Sequence, residues 1–293
     1  MNTILSILIT LLASVVFAIV ATVLGCLLAG LDRKVTARMQ GRVGPPLLQP
    51  YYDVRKLFCK ENTAVTTAIN SYVFWALIFI FIAGGVFFSG GNLLLCIFIV
   101  TLAEMLFIMA AYAARSPFAE VGAHRETLQV MAYEPMVLLL AVGFFLATGS
   151  FNVSTVLHGE FPIICSTIGV FIGLLFILTI KLRKSPFDLS YSHHAHQDLV
   201  KGVTTEMSGK VLGQVEIMHW CENILFLAWV GMFFVWSDPI CIPIVIIALV
   251  LIYFLEIWID NNFARVKWQL LLKSAWIVTL VFAGINIGLL IYL

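Results

Sequence analysis

The chain has 293 residues, of which 61% are hydrophobic and 11% charged, with 17 Lys+Arg against 16 Asp+Glu. Soluble domains carry about 25% charged and 45–50% apolar residues, so this composition excludes a soluble enzyme. The net charge of +1 excludes a nucleic-acid role, which needs a concentrated basic excess; six cysteines with no C-x-x-C pair exclude a disulfide scaffold and any zinc or iron–sulfur spacing.

What remains is an all-α, polytopic membrane protein. Apolar stretches long enough to cross roughly 30 Å of hydrocarbon, about 20 residues each, fall near 3–31, 70–89, 92–114, 128–148, 163–182, 212–236, 239–259 and 271–293. The pattern predicts eight transmembrane helices in one membrane domain, 1–293. The first stretch has no basic n-region and ends in Arg33-Lys34, so it reads as a span and not as a cleavable signal.

After the first span, DRKVTARMQGRVGPPLLQP is broken by Gly41, Gly44, Pro45, Pro46 and Pro50, which forbid a regular helix there. In YYDVRKLFCKE, Tyr51, Val54, Leu57 and Phe58 alternate with Asp53, Arg55, Lys56 and Lys60. That spacing predicts a short amphipathic helix lying in the membrane interface. The basic residues cluster after the first, third, fifth and seventh spans, and the intervening connections carry none. By the positive-inside rule that side is cytoplasmic and both termini face outward. Four cytoplasmic segments, 32–69, 115–127, 183–211 and 260–270, are thereby exposed as candidate docking surfaces.

Acids within membrane spans are costly, at about 2.5–3.5 kcal/mol or more each, and mark function by default. Glu104 falls mid-span in the third helix and Glu134 near the start of the fourth. Glu216, His219 and Glu222 lie in the sixth, and Glu256 near the end of the seventh. Pro135 follows Glu134 and deprives one backbone carbonyl of its donor, opening a polar notch beside the acid. Glu216, His219 and Glu222 recur every third residue, each rotated about 60° from the last, so they share a slowly winding face suited to a proton relay. The alternative for each acid is a polar partner on a neighbouring helix that fixes packing, and for Glu256 the nearby Arg265 and Lys267 favour it. His193, His194 and His196 with Asp198 read as a docking loop that titrates near neutral pH, because near-adjacent residues cannot wrap a tetrahedral ion alone.

Four motifs in order, GPPLLQPYYDVRKLFCKE, VGAHRETLQVMAYEP, SPFDLSYSHHAHQDLVKGVTTEMSG and NNFARVKWQ, resemble the membrane subunit that holds the docking site of respiratory complex I. The SHHAHQ form is closer to the corresponding subunit of energy-converting nickel–iron hydrogenases; a formate hydrogenlyase membrane subunit is a near relative, and a quinone-reducing complex I subunit the main alternative. The resemblance implies a non-redox subunit in a prokaryotic cytoplasmic membrane, with no cofactor in this chain. Nickel–iron and 4Fe–4S centres would belong to hydrogenase large and small subunits and a ferredoxin-like subunit. Ferredoxin would donate the electrons, and an antiporter-like membrane subunit would move protons or sodium.

Carried over by motif, Glu134, Asp198 and Glu206 match the family's acidic path from the docking cavity into the membrane. Two positions depart from it: Lys181 stands where complex I members have a glutamate, and Trp220 replaces the sixth-helix glutamate, flanked by Glu216 and Glu222. The residues expected to couple ion movement are therefore Glu104, Glu134, Lys181, Asp198, Glu206, Glu216, His219 and Glu222. Those expected to hold the hydrophilic arm are Arg33, Lys34, Arg42, Asp53, Lys56, Arg125, Asp188, His193, His194, His196 and Arg265.

Overall fold

The structure is a computed structural model that describes residues 2–61, 67–156, 159, 161–184, 187, 190, 199, 201–264 and 266–292, apart from the side chains of Asn2 and Thr3. Among the described residues it is helical, with only two isolated β-bridges, Asn92 to Asn152 and Phe187 to Val266. In chain order the helices are α1 (Asn2–Met39), α2 (Gln49–Phe58), α3 (Thr67–Phe88), α4 (Leu93–Ala113), α5 (Pro117–Thr148) and the single turn α6 (Val153–Val156). They continue with α7 (Ile168–Lys181), α8 (Gly209–Met232), α9 (Cys241–Asn262) and α10 (Trp268–Tyr292), which contains a π-helical stretch at Thr279–Gly284.

Each predicted span coincides with a helix, but among the described residues only six, α1, α3, α4, α5, α9 and α10, are both long and apolar enough to cross a membrane. Two fall short for separate reasons. α7 has 14 residues, about 21 Å at 1.5 Å per residue. α8 has 24 residues, but Lys210, Gln214, Glu216, His219 and Glu222 lower its hydropathy.

Two predicted loops are partly helix. α1 runs on to Met39, through the first turns of segment 32–69. Segment 115–127 is helical from Pro117, because Ser116 is extended at the N-cap, Pro117 sits in the first turn and Glu120 favours the positive helix end. Arg115, at φ 52°, reverses the chain between α4 and α5. The amphipathic helix forms as α2. Pro50 and Val54 are buried against the bundle while Tyr51 and Tyr52 remain half exposed.

Small residues let the helices approach closely, as packing in lipid requires. A Cβ on Gly25 of α1 would lie 2.6 Å from Trp220 Cβ of α8, and side chains at Gly84 and Gly85 of α3 would meet Phe17 and Ser14 of α1. α8 packs against α1, α2, α3, α7 and α9, which places its His219 and Glu222 inside protein. Phe226 and Trp229 of α8, Phe233 at its C-cap and Phe107 of α4 are fully buried. α3 and α4 form an antiparallel hairpin through Gly90, at φ 78°. Asn92 then caps α4 by accepting from the amides of Leu94 at 2.9 Å and Leu95 at 3.2 Å.

Pro135 lies inside α5 without ending it. Its missing N–H frees the Met131 carbonyl, four residues earlier. Trp276 of α10 supplies the replacement, its indole Nε1 donating to Met131 O at 3.2 Å.

Candidate functional site

Three buried charges meet where α4, α7 and α8 converge. Lys181, the last residue of α7, forms ion pairs with Glu104 of α4 and with Glu222 of α8, the latter at 2.7 Å. The side chains of all three are at most 8% exposed. The ammonium also lies 4.0 Å from the Tyr133 ring centroid and 4.7 Å from that of Phe226, so aromatic faces complete its surroundings. An ion buried this deeply is tolerated only when paired; one lysine serves two carboxylates because an ammonium has three donors.

The charges continue toward the end of the bundle that carries α2. Arg183 donates to Glu126 of α5 at 3.0 Å, and the Ser190 hydroxyl donates to the other oxygen of Glu126. Arg183 is held at φ 55°, which turns the chain sharply after α7 and brings its guanidinium back over the bundle. Gln129 and Tyr133, one and two turns beyond Glu126 on α5, line a crevice with Glu104, Lys181, Arg183 and Glu222. The crevice has about 10 Å³ of free space, room for about one water. Two sets of paired charges, Lys181 with Glu104 and Glu222 and Arg183 with Glu126, thus line one crevice, with Ser190 on the far oxygen of Glu126. A charge introduced at Arg183 acts on Lys181 across this crevice, in a medium where Coulomb interactions are strong.

His219 is buried one turn before Glu222 and meets the Phe107 ring edge-on, with centroids 5.6 Å apart. Glu216 is directed elsewhere. It lines a second cavity of about 320 Å³ between α1, α2, α8 and the turn Gly202–Thr204, whose wall includes Arg33, Asp53, Lys56, Lys201 and Trp220. The face that sequence spacing assigned to Glu216, His219 and Glu222 is therefore divided between two sites.

At that second cavity Asp53 accepts from Arg33 at 2.7 Å and from Gln49 at 2.9 Å, tying α2 to α1. Burial alone would push its carboxyl up, but these hydrogen bonds and the positive charges of Arg33 and Lys56 hold it below the usual carboxylate range. Lys34, Arg42 and Lys56 are exposed, with Arg42 donating to Gln40. Arg125 stacks 5.7 Å from the Trp268 ring.

Glu134 is half-buried and is not among the residues of the Lys181 crevice; its neighbour Tyr133 takes that place. Glu206 is half-buried after the Gly202–Thr204 turn. Asp188, His193, His194, His196, Asp198 and Arg265 lie outside the described residues. Glu126 and Arg183 were missed in the sequence. The available signal was Glu126, Gln129 and Tyr133 at i, i+3 and i+7, one face of a helix. Among the described residues no group of three His, Cys, Asp or Glu side chains is placed to hold a metal ion.

A family model described as NADH dehydrogenase matches residues 11–291. NADH-ubiquinone oxidoreductase chain 1 of Mycosarcoma maydis is 29% identical over 281 residues, covering 84% of this chain and 84% of that protein. Hydrogenase-4 component C of Escherichia coli (strain K12) is 31% identical over 207 residues, 66% of this chain and 65% of that one. A chain in the structure of the membrane-bound sulfane sulfur reductase, an archaeal respiratory membrane complex, superposes with a TM-score of 0.83. That match covers 96% of this chain and 99% of the other at 22% identity, a likeness of fold.

Proposed function

The chain belongs to the NADH dehydrogenase family, and from that premise we propose that it is the non-redox membrane subunit of a ferredoxin-dependent, energy-converting nickel–iron hydrogenase in a prokaryotic cell membrane. Its relatives are subunits of oxidoreductase complexes, and the six long apolar helices make it a multi-pass membrane protein. In this reading α7 and α8 also cross, giving eight spans with both termini outward. α7 ends on buried Lys181, and α8 keeps His219 and Glu222 buried against protein.

The observation that carries the reading is the buried Glu104–Lys181–Glu222 group, joined to Arg183 and Glu126. Partner subunits on the α2 side would hold the nickel–iron and iron–sulfur centres. Their reduction and reoxidation would alter charge near the segment after α7. Ser190 and Arg183 pass that change to Glu126 and Lys181, and the two glutamates sharing Lys181 then change their proton occupancy together. An antiporter-like partner against the bundle would convert that step into proton or sodium movement. The SHHAHQ form of the segment after α7 is what favours a hydrogenase.

A second reading, a quinone-reducing subunit, is favoured by the cavity of about 320 Å³ between α1, α2 and α8. Metal analysis of the complex, purified in mild detergent through a tag on this chain, separates the two. Nickel stoichiometric with this chain, alongside iron, supports the hydrogenase; iron without nickel selects the quinone reductase.

A further inference from the structure

A third cavity opens at the end of the bundle that carries α2, between α5 and the start of α10. It has about 230 Å³ of free space and is walled by Arg125, Leu128 and Gln129 of α5 and by Trp268, Gln269 and Leu272 of α10. The two helices start at the same end and run side by side. Arg125 lies against Trp268, and about two turns further along both helices the Trp276 indole donates to the Met131 carbonyl at 3.2 Å. That contact closes the cavity toward the middle of the bundle.

Hydrogen-bond donors gather here. The Arg125 guanidinium sits 5.7 Å from the Trp268 ring centroid. Gln129 is only 6% exposed, and its Nε2 is buried with no acceptor among the described residues; a buried N–H left without an acceptor is costly. Gln129 also borders the Lys181 crevice, but that crevice has room for about one water, so the larger space beside the amide is this cavity. α10 begins at Trp268, and Lys267 at its N-cap makes no side-chain cap; the first-turn amides and the positive end of the helix favour an anion. Glu120 and Glu126 on the neighbouring turns of α5 face other partners, His124 at 4.0 Å for the first and Arg183 and Ser190 for the second. Among the described residues no carboxylate lines the cavity.

A guanidinium, an amide nitrogen and a helix N-terminus together suit an anion with several acceptor oxygens, which a phosphate diester supplies. Leu128 and Leu272 in the same wall suit methylene groups and not a free ion. The space takes a headgroup and the start of its chains but not a whole lipid. Beyond it, Met131, Ile277 and Leu280 are each more than half exposed on the same two helices, an apolar surface along which acyl chains can lie. Trp268 with Arg125 and the exposed Lys267 is also the residue set of a membrane–water interface. We propose that the cavity between α5 and α10 binds the headgroup of an anionic phospholipid, held by Arg125, Gln129 and the N-terminus of α10, with the acyl chains along the outer surface of the two helices.

The test reconstitutes the intact complex with phosphatidylglycerol or phosphatidylcholine carrying the same photoreactive diazirine on an acyl chain. After illumination, peptide mass spectrometry reads the label on α5 and α10. Unlabelled phosphatidylglycerol, unlabelled phosphatidylcholine and inorganic phosphate are the competitors. The expected result is labelling around Leu128, Met131 and Leu272 that is about 10-fold stronger with the phosphatidylglycerol probe and is suppressed by unlabelled phosphatidylglycerol alone. Arg125→Gln is expected to lower that preference about 10-fold, the loss of one hydrogen bond to a charged group, while labelling elsewhere on the complex stays unchanged. The comparison of the two probes on the parent complex stands even where the variant fails to assemble. Suppression by inorganic phosphate as strong as by phosphatidylglycerol assigns the site to a free anion and overturns the lipid. Equal labelling by both probes, a preference that survives Arg125→Gln, or no labelling by either because a partner subunit covers this face, also overturns the proposal.

Discussion

Replacing Lys181 by methionine keeps the unbranched stem and removes the charge that Glu104 and Glu222 share. Both carboxylates are then buried without their cation, and removing one partner of a buried pair costs about 3–5 kcal/mol. The structure bounds the loss from another direction. Each carboxylate escapes by binding a proton, and at pH 7 that costs a glutamate with an ordinary pKa near 4.3 about 3.7 kcal/mol, at about 1.4 kcal/mol per pH unit. Neutralising one carboxylate therefore costs about 3.7 kcal/mol and neutralising both about twice that, so the loss is expected between about 3 and 7 kcal/mol. The sign of the pH effect follows. The variant's folded state binds more protons than its unfolded state, so its deficit shrinks by about 1.4 kcal/mol per unit per proton as pH falls from 8 to 6. The assay is thermal unfolding of the detergent-purified complex, followed by the release of this chain, at pH 6, 7 and 8. Lys181→Met combined with Glu104→Gln and Glu222→Gln should recover most of the loss, because a neutral group of similar shape has no ion to desolvate. A Lys181→Met complex as stable as the parent at pH 8, or one that weakens on acidification, refutes the reasoning.

The other expectations concern the surroundings of that site. Asp53→Asn breaks the α1–α2 tie at Arg33, but both side chains are more than 40% exposed, so the loss stays within about 1 kcal/mol. Because the folded Asp53 carboxyl lies below its unfolded value near 3.9, the tie is intact from pH 5 to 8 and weakens only as pH falls through the folded value; protease protection of α2 across pH checks both statements. Trp276→Phe keeps an aromatic ring but strips the Met131 carbonyl of its donor beside Pro135, for about 1 kcal/mol of destabilisation in a melting experiment. Gly25→Val drives a side chain into Trp220 and forces α1 from α8 at about 1–3 kcal/mol, which should appear as reduced yield of assembled complex.

Much of the helical plan was legible because hydropathy, glycine and proline act locally. Pro135 announced an orphan carbonyl, and α2 followed from its alternating residues. The motif order pointed to the family whose model matches residues 11–291. What sequence could not supply was rotation and register between helices. Glu216 and Glu222 lie six residues apart on α8 yet serve different cavities, because α2 covers one side and α4 with α7 the other. Glu126 was overlooked because it sits in a segment read as a loop; only the extension of α5 to Pro117 places it one helical face below Tyr133. Lys181 looked like a departure that interrupted an acidic path. In three dimensions it is the shared partner of two acids, a relation that rests on α4, α7 and α8 meeting at one depth.

Coupling of chemistry in partner subunits to ion movement through the Lys181 group is tested most directly by the ratio of ions translocated to dihydrogen evolved. That ratio is measured for the whole complex in proteoliposomes, driven by reduced ferredoxin, for the parent and Glu222→Gln. A lower ratio is expected in the variant, with dihydrogen evolution maintained when an ionophore dissipates the gradient. An unchanged ratio in a stable Glu222→Gln complex would contradict the coupling role.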